Sequence, residues 1–308
     1  MGEPFKPFTI THVAECISEW GRNGFDLSRE LLQYNVLWQL KLETGDQHFG
    51  VYLKCRKVVA NENNEDWSIK VKYAVTLSSV FGRTYRGFFE RHFNQDFTMH
   101  GSNDFIHLGN LYDDFVFDDQ VIVETEITII EMNGIGKKKK LMNFDDEDAK
   151  KLSDVTLCIG DQKFYVLKQL LARQSPYFHS MFFENFKEAN MEEVPLKDVS
   201  PEDFQCFMEV INLEPTLSDD CVENVLQLAD MYQAKNVTRQ CEEFLIHQSH
   251  HSDKKLLQIV GRFKLHNLQE RVFNDLRTKT DIRAATDPDL KNPEILQRLL
   301  DLALKYQY

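Results

Sequence analysis

The segment from Leu152 to Phe186, LSDVTLCIGDQKFYVLKQLLARQSPYFHSMFFENF, constrains the fold more tightly than any other part of the chain. Val155, Leu157 and Ile159 alternate with Thr156 and Cys158, the period of a half-buried strand. Gly160-Asp161 is a turn dipeptide, and Phe164 and Val166 resume the alternation on the way back. Leu167, Leu170 and Leu171 then begin a short apolar helix, which Ser175-Pro176 interrupts while opening the next one. Strand, turn, strand, helix, turn, helix in this order specify a small α+β core. The segment carries no residue pattern of a catalyst, which points to recruitment rather than chemistry.

The rest of the chain divides around residue 133. Before it the pattern is β. Trp38, Leu40 and Leu42 alternate with Gln39 and Lys41, and Val51 and Leu53 with Tyr52 and Lys54. Ile69 to Leu77 and Val121 to Ile129 form longer period-two runs, and polar clusters such as Glu43 to Asp46, Asn61 to Asp66 and Phe81-Gly82-Arg83 separate the runs. Several short strands with polar turns predict an all-β antiparallel sandwich over residues 5–132. Asn133 to Lys140 joins two glycines to four lysines and reads as a flexible linker, placed at 133–144; its basic run also fits a nuclear import signal. From Ser200-Pro201-Glu202-Asp203, a capping serine followed by proline and an acidic third residue, helical spacing continues to Leu302. The expected architecture is multidomain: the sandwich, an α+β domain over 145–247, and a C-terminal helical extension over 248–308.

Charge and cysteine usage narrow the function classes. The formal net charge of −13 argues against nucleic-acid or anionic-membrane binding, which needs clustered Lys and Arg. No apolar run approaches the roughly 18 residues of a membrane span. The N-terminus lacks a charged-then-apolar leader, and Pro7 stands where a myristoylation site takes Ser or Thr. The six cysteines form no CxxC pair, and no histidine joins them at metal-ligand spacing; Cys158, Cys206 and Cys241 fall in apolar patterns expected to bury them. A cytoplasmic or nuclear protein fits that usage. Phosphate loops, HExxH, GxSxG and GxGxxG are all missing from the sequence, so neither an enzyme nor a cofactor is expected.

Residues 145–247 resemble a BTB/POZ domain, a dimerising interaction module. Asp154-Val155-Thr156-Leu157, Phe164-x-Val166-x-Lys168, Leu170-Leu171-Ala172-x-x-Ser175-Pro176-Tyr177-Phe178-x-x-Met181-Phe182, Leu196-x-Asp198-Val199-Ser200-Pro201-x-x-Phe204, Leu228-Ala229-Asp230-x-Tyr232 and Cys241 to Leu245 carry the resemblance in family order. Leu167 departs from it, standing where many members have histidine. Phe186-Lys187-Glu188 is similar to the hydrophobic-x-Glu motif by which BTB adaptors bind cullin-3, so the resemblance implies a cullin-binding role for Phe186 and Glu188; Phe186 folded back onto its own domain is the competing reading. Met191-Glu192-Glu193 fits the same pattern nearer the next strand. The resemblance also implies a homodimer, with Phe144, Leu152 and Leu170 as candidate interface residues. Two readings of the C-terminal helices stand, an extension of the cullin-binding groove and a cap over the BTB core.

The N-terminal region resembles a MATH (TRAF-like) domain, an eight-strand sandwich, through Phe8-Thr9-Ile10, Leu37 to Leu40, Tyr52-Leu53-x-Cys55, Trp67-Ser68-Ile69, Phe105-Ile106 and Phe117-Asp118-Asp119. The pair of domains is similar to the MATH–BTB adaptors typified by speckle-type POZ protein, in which the MATH domain holds an extended peptide of a substrate. By that resemblance Tyr52, Tyr73 and Phe93 line or adjoin the peptide groove, with ordinary aromatic packing as the alternative. His100-Gly101 replaces the family's Trp-Gly, which removes a large apolar wall. The implied function is that of a substrate adaptor of a cullin-3 ubiquitin ligase; a dimeric scaffold or co-regulator that does not bind cullin is the alternative.

Overall fold

The computed structural model describes residues 5–58, 67–135, 140–184 and 186–306. The chain divides into two compact units, 1–137 with 250–308, and 138–249. The turn cluster from Asn61 to Asp66 and most of the Lys137–Lys140 run lie outside the described residues.

The first unit is built on strands β1 (Phe8–Ala14), β2 (Phe25–Leu27), β3 (Leu31–Gln33), β4 (Val36–Thr44), β5 (His48–Lys57), β6 (Ser68–Ser78), β7 (Thr84–Asn94), β8 (Met99–His107) and β9 (Val121–Asn133), with helix α1 (Leu108–Asp114) between the last two. One sheet runs β1-β9-β6-β7; the other runs β2-β4-β5-β8, with β3 paired to β4, and every pairing is antiparallel. The resemblance implied eight strands; among the described residues there are nine. The period-two runs supply the core as expected: Trp38, Leu40, Leu42, Leu53, Ile69, Val71, Val75, Leu77, Val121, Val123 and Ile127 are buried between the sheets. Each inward side chain removes its apolar surface from water, worth about 1.5–3 kcal/mol when complete. β7 ends its sheet, and among the described residues no strand pairs with its outer edge.

The second unit begins with α2 (Glu147–Leu152) and the hairpin of β10 (Val155–Ile159) and β11 (Gln162–Val166), turned by Gly160 at φ +56°. α3 (Lys168–Gln174) and α4 (Pro176–Phe183) follow, then a 3-10 turn (Lys187–Asn190) and β12 (Glu193–Pro195), which joins β10 in parallel. α5 (Pro201–Ile211), α6 (Val222–Met231) and α7 (Lys235–His247) complete it. Ser175 does what the Ser-Pro break predicted. Its hydroxyl accepts the Phe178 N–H at 3.1 Å, capping α4, and donates to the Tyr232 carbonyl, tying α4 to the end of α6. Leu167 is 46% exposed and provides no side-chain cap to α3. Asp154 takes over, its carboxylate accepting the Lys168 N–H at 2.7 Å. The Glu209 carboxylate, buried on α5, accepts the Leu141 and Met142 N–H groups at 2.8 and 3.3 Å, so this end of the expected linker is hydrogen-bonded to its unit. Cys206 and Cys241 are buried as expected, whereas Cys158 is half-exposed on β10.

The C-terminal helices α8 (Asp253–Phe263), α9 (His266–Asp275), α10 (Lys279–Ala285) and α11 (Pro293–Lys305) belong to the first unit. Sequence reading had attached this segment to the α+β domain. It lies against the outer face of the β1-β9-β6-β7 sheet: Lys254 pairs with Glu124 at 3.1 Å, the Thr278 hydroxyl donates to the Gln120 side chain at 3.3 Å, and Lys279 stands 5.5 Å over the Phe117 ring. Ile122 points outward from β9 yet is only 3% exposed. α10 has no visible apolar period in the sequence. Its start is fixed by a capping box in which Thr278 and Asp281 satisfy each other's backbone N–H groups.

Candidate functional site

Tyr52 lies on the outward face of β5. It is opposite Gly101 of β8, with Lys41 5.5 Å from its ring. Two glycines make room for it. A Cβ at Gly50 would meet the Tyr52 ring at 3.2 Å, and one at Gly101 would stand 2.1 Å from the Val51 carbonyl oxygen and 2.5 Å from the Tyr52 Cα. Those last two are backbone atoms that cannot rotate away. Gly101→Ala is therefore expected to spread β5 from β8 and destabilise the sandwich by about 1–3 kcal/mol. A thermal melt reads this; an unchanged midpoint would show that the strands yield freely.

The other groove candidates sit differently from expectation. Tyr73 points inward from β6 and is 3% exposed. Its hydroxyl donates to the His100 carbonyl at 3.2 Å, and burial raises its pKa to about 12. It is thus a wall of the interior whose hydroxyl is already used, not a donor to a peptide backbone. Phe93 is fully buried, edge-on to Trp38 and to His100, and so supports the cleft without lining it. His100 Nε2 donates to the His92 carbonyl at 2.9 Å, bridging β8 to the edge strand β7, while its ring also stacks near Phe97.

Three rings that sequence reading did not single out, Phe89, Tyr85 and Phe115, join Tyr73 and Phe105 in a continuous aromatic row. From Tyr73 a row of rings follows the β7–β8 cleft: Tyr73 stacks on Phe89 at 5.0 Å, Phe89 lies 6.3 Å from Phe105, Phe105 meets Tyr85 edge-on at 5.3 Å, and Tyr85 meets Phe115 at 6.5 Å. Gly87 allows this: a Cβ there would be 2.5 Å from Phe105 Cε2. The signal in the sequence is the period-two face Tyr85, Gly87, Phe89 in β7, masked by the side-chain-less Gly87 and by the apolar Phe88 on the opposite face. The row runs beside the free edge of β7, the geometry in which an extended peptide gains backbone hydrogen bonds from a sheet and pockets for its side chains.

In the second unit the motif after α4 is on the surface. Phe186 is 54% exposed, Phe183 56% and Met191 39%, and Glu188 is half-buried in the 3-10 turn. The turn is held by Ala189 N–H to the Phe186 carbonyl at 3.2 Å, Met191 N–H to the Glu188 carbonyl at 3.1 Å, and Lys168 Nζ to the Ala189 carbonyl at 3.0 Å. Phe186 therefore does not fold back onto its own domain. Of the dimer candidates, Leu152 is 76% exposed at the end of α2 and Leu170 is half-buried on α3. Phe144 is only 6% exposed, packed 6.4 Å from the Phe164 ring, with its carbonyl accepting the Tyr165 N–H. It is a core residue of its own unit, which removes it from the candidate interface.

Residues 14–129 match the family model of the MATH domain and residues 144–249 that of the BTB/POZ domain. The chain is 35% identical over 274 residues to BTB and MATH domain-containing protein 15 of Caenorhabditis elegans, a match covering 89% of this chain and 98% of that protein. It belongs to the BTB and MATH domain-containing proteins. BTB and MATH domain-containing protein 45 of the same organism is 33% identical over 285 residues, 92% of this chain and 60% of that longer protein. Kelch repeat and BTB domain-containing protein 4 of Mus musculus is 33% identical over 94 residues, 30% of this chain and 18% of that protein. The sandwich is thus a MATH domain and the second unit a BTB domain, both interaction modules. No helix among the described residues is long and apolar enough to cross a membrane.

Proposed function

We propose that this BTB and MATH domain-containing protein is a substrate adaptor of a cullin-3 ubiquitin ligase. The MATH domain holds an extended segment of the substrate along the β7–β8 cleft, and the BTB domain carries the cullin and a second copy of the chain. The observation that carries this reading is Phe186: a large apolar side chain more than half exposed at the head of an ordered turn, with Glu188 beside it. It stands near exposed Phe183 and Met191 rather than alone, and a partner pocket that desolvates it gains a central anchor with a carboxylate at the rim. Leu152 and Leu170 supply the apolar surface for the pairing of two BTB domains. A dimer places two weak MATH sites on one particle and raises avidity by roughly 10²–10⁴ where both engage.

Light scattering of the full chain at micromolar concentration should give twice the chain mass, and Leu152→Asp with Leu170→Asp should give the monomer. Purified cullin-3 should co-elute with the wild type. A dimer that never retains cullin-3 would leave only the scaffold function, and a wild-type monomer would remove the bivalent mechanism.

A further inference from the structure

The cleft between β7 and β8 is closed at one end and open at the other. At the His100 end the imidazole bridges to the His92 carbonyl of β7 at 2.9 Å and rests on Phe93 and Phe97. At the opposite end, where α1 leaves β8, a cavity of about 690 Å³ opens. The aromatic row runs into it: Tyr85, Phe105 and Phe115 line it, and the Tyr85 hydroxyl donates to the Phe105 carbonyl at 3.1 Å, which fixes the ring.

The polar lining is unequal in charge. Arg83 and Asp114 pair with each other. His107 Nδ1 accepts the Gly109 N–H, 3.1 Å away, so that nitrogen is already used. His48 packs edge-on to His107 at 5.4 Å and lies within the field of Asp104. Asp104 accepts the Ser102 hydroxyl at 2.6 Å, and that bond, followed by its own backbone N–H, holds its carboxyl below the usual aspartate range. Among the described residues no lysine or arginine pairs with Asp104. The cavity therefore offers aromatic surface and one carboxylate that the protein's own lysines and arginines do not neutralise. A guanidinium suits that combination: it is weakly hydrated, stacks on aromatic rings and donates two parallel hydrogen bonds to a carboxylate.

We propose that this cavity is the subsite for an arginine side chain of the substrate segment, with Asp104 as its acceptor and Tyr85, Phe105 and Phe115 as its apolar bed. The proposal rests on the MATH domain being the substrate receptor. It also gives His100 a role: by stitching the cleft shut at its own end, His100 moves side-chain selection to the α1 end.

The full chain is used to select from a bead-displayed library of random ten-residue peptides, and the best binders are resynthesised with a fluorescent label. Arginine should be enriched at one position. Its replacement by glutamine should weaken binding roughly tenfold, as for loss of a charge-assisted hydrogen bond, and its replacement by lysine less. Asp104→Asn should abolish the difference between the arginine and glutamine peptides. Asn110→Asp, which adds a second carboxylate to the lining, should strengthen the arginine preference, a gain that misfolding cannot imitate. Peptides retained without any preference for arginine, or a preference that survives in Asp104→Asn, would overturn the subsite while leaving the receptor reading standing. Failure of the wild-type chain to retain any peptide would overturn both.

Discussion

Replacing Phe186 with alanine is expected to weaken cullin-3 binding about thirtyfold or more while leaving the BTB fold and its dimer intact. The side chain is 54% exposed, so its removal leaves little cavity in the free protein and little change in the melting temperature. Desolvated at the centre of a complex, an aromatic anchor is worth about 2 kcal/mol or more. Loss should show as faster dissociation rather than slower association, because the anchor acts after encounter. Glu188→Lys should weaken binding by reversing a rim charge and should depend on salt. Phe183 and Met191 are exposed beside the same turn, so each is a test of assignment. If Met191→Ala abolishes binding and Phe186→Ala does not, the anchor is Met191. If neither has an effect in a folded dimer, the protein is not a cullin adaptor by this surface.

Removing residues 250–308 is expected to destabilise the MATH domain and spare the BTB domain. α8 to α11 share a unit with the sandwich and cover the outer face of β1 and β9, where Ile122 is 3% exposed although it points away from the sandwich core. Stripping the helices exposes that face and breaks the Lys254–Glu124 pair and the Thr278–Gln120 hydrogen bond. Uncovering Ile122 and its neighbours should cost on the order of 3 kcal/mol or more, since each fully buried aliphatic side chain is worth about 1.5–3. The ion pair adds little at its partial exposure. Hydrogen exchange on the truncated chain is the measurement: amides of β1 and β9 should lose protection, while those of β10 and β11 keep it. Unchanged protection in β1 and β9 would show that the sandwich does not depend on this cover. The same experiment bears on substrate capture, because β7 and its cleft are built on the sheet that the helices cover.

The two domains were legible in the sequence because each announces itself by local pattern. Period-two runs at 38–42, 69–77 and 121–129 bury one face and leave the other, and this alternation is the strand. Gly160-Asp161 and Ser175-Pro176 mark a hairpin and a helix start through backbone chemistry that needs no distant partner. The exposure of Phe186 was half legible: the motif was visible, but only the turn held by Lys168 and the Ala189 and Met191 N–H groups fixes the ring outward. What the tertiary structure alone decided is the fate of residues whose pattern fits two environments. Tyr73 and Phe93 belong to alternating runs that look the same whether a ring faces a groove or the core, and sheet packing turned both inward. Phe144 has no period at all, and its burial against Phe164 depends on a contact twenty residues away in sequence. α8, α9 and α11 read as amphipathic helices, and amphipathicity says that a face must be covered without saying by what. The partner turned out to be a sheet more than a hundred residues earlier, reached through Lys254 and Glu124. Local sequence fixes period and punctuation; the choice among surfaces of similar apolarity is made by the summed packing of the folded chain.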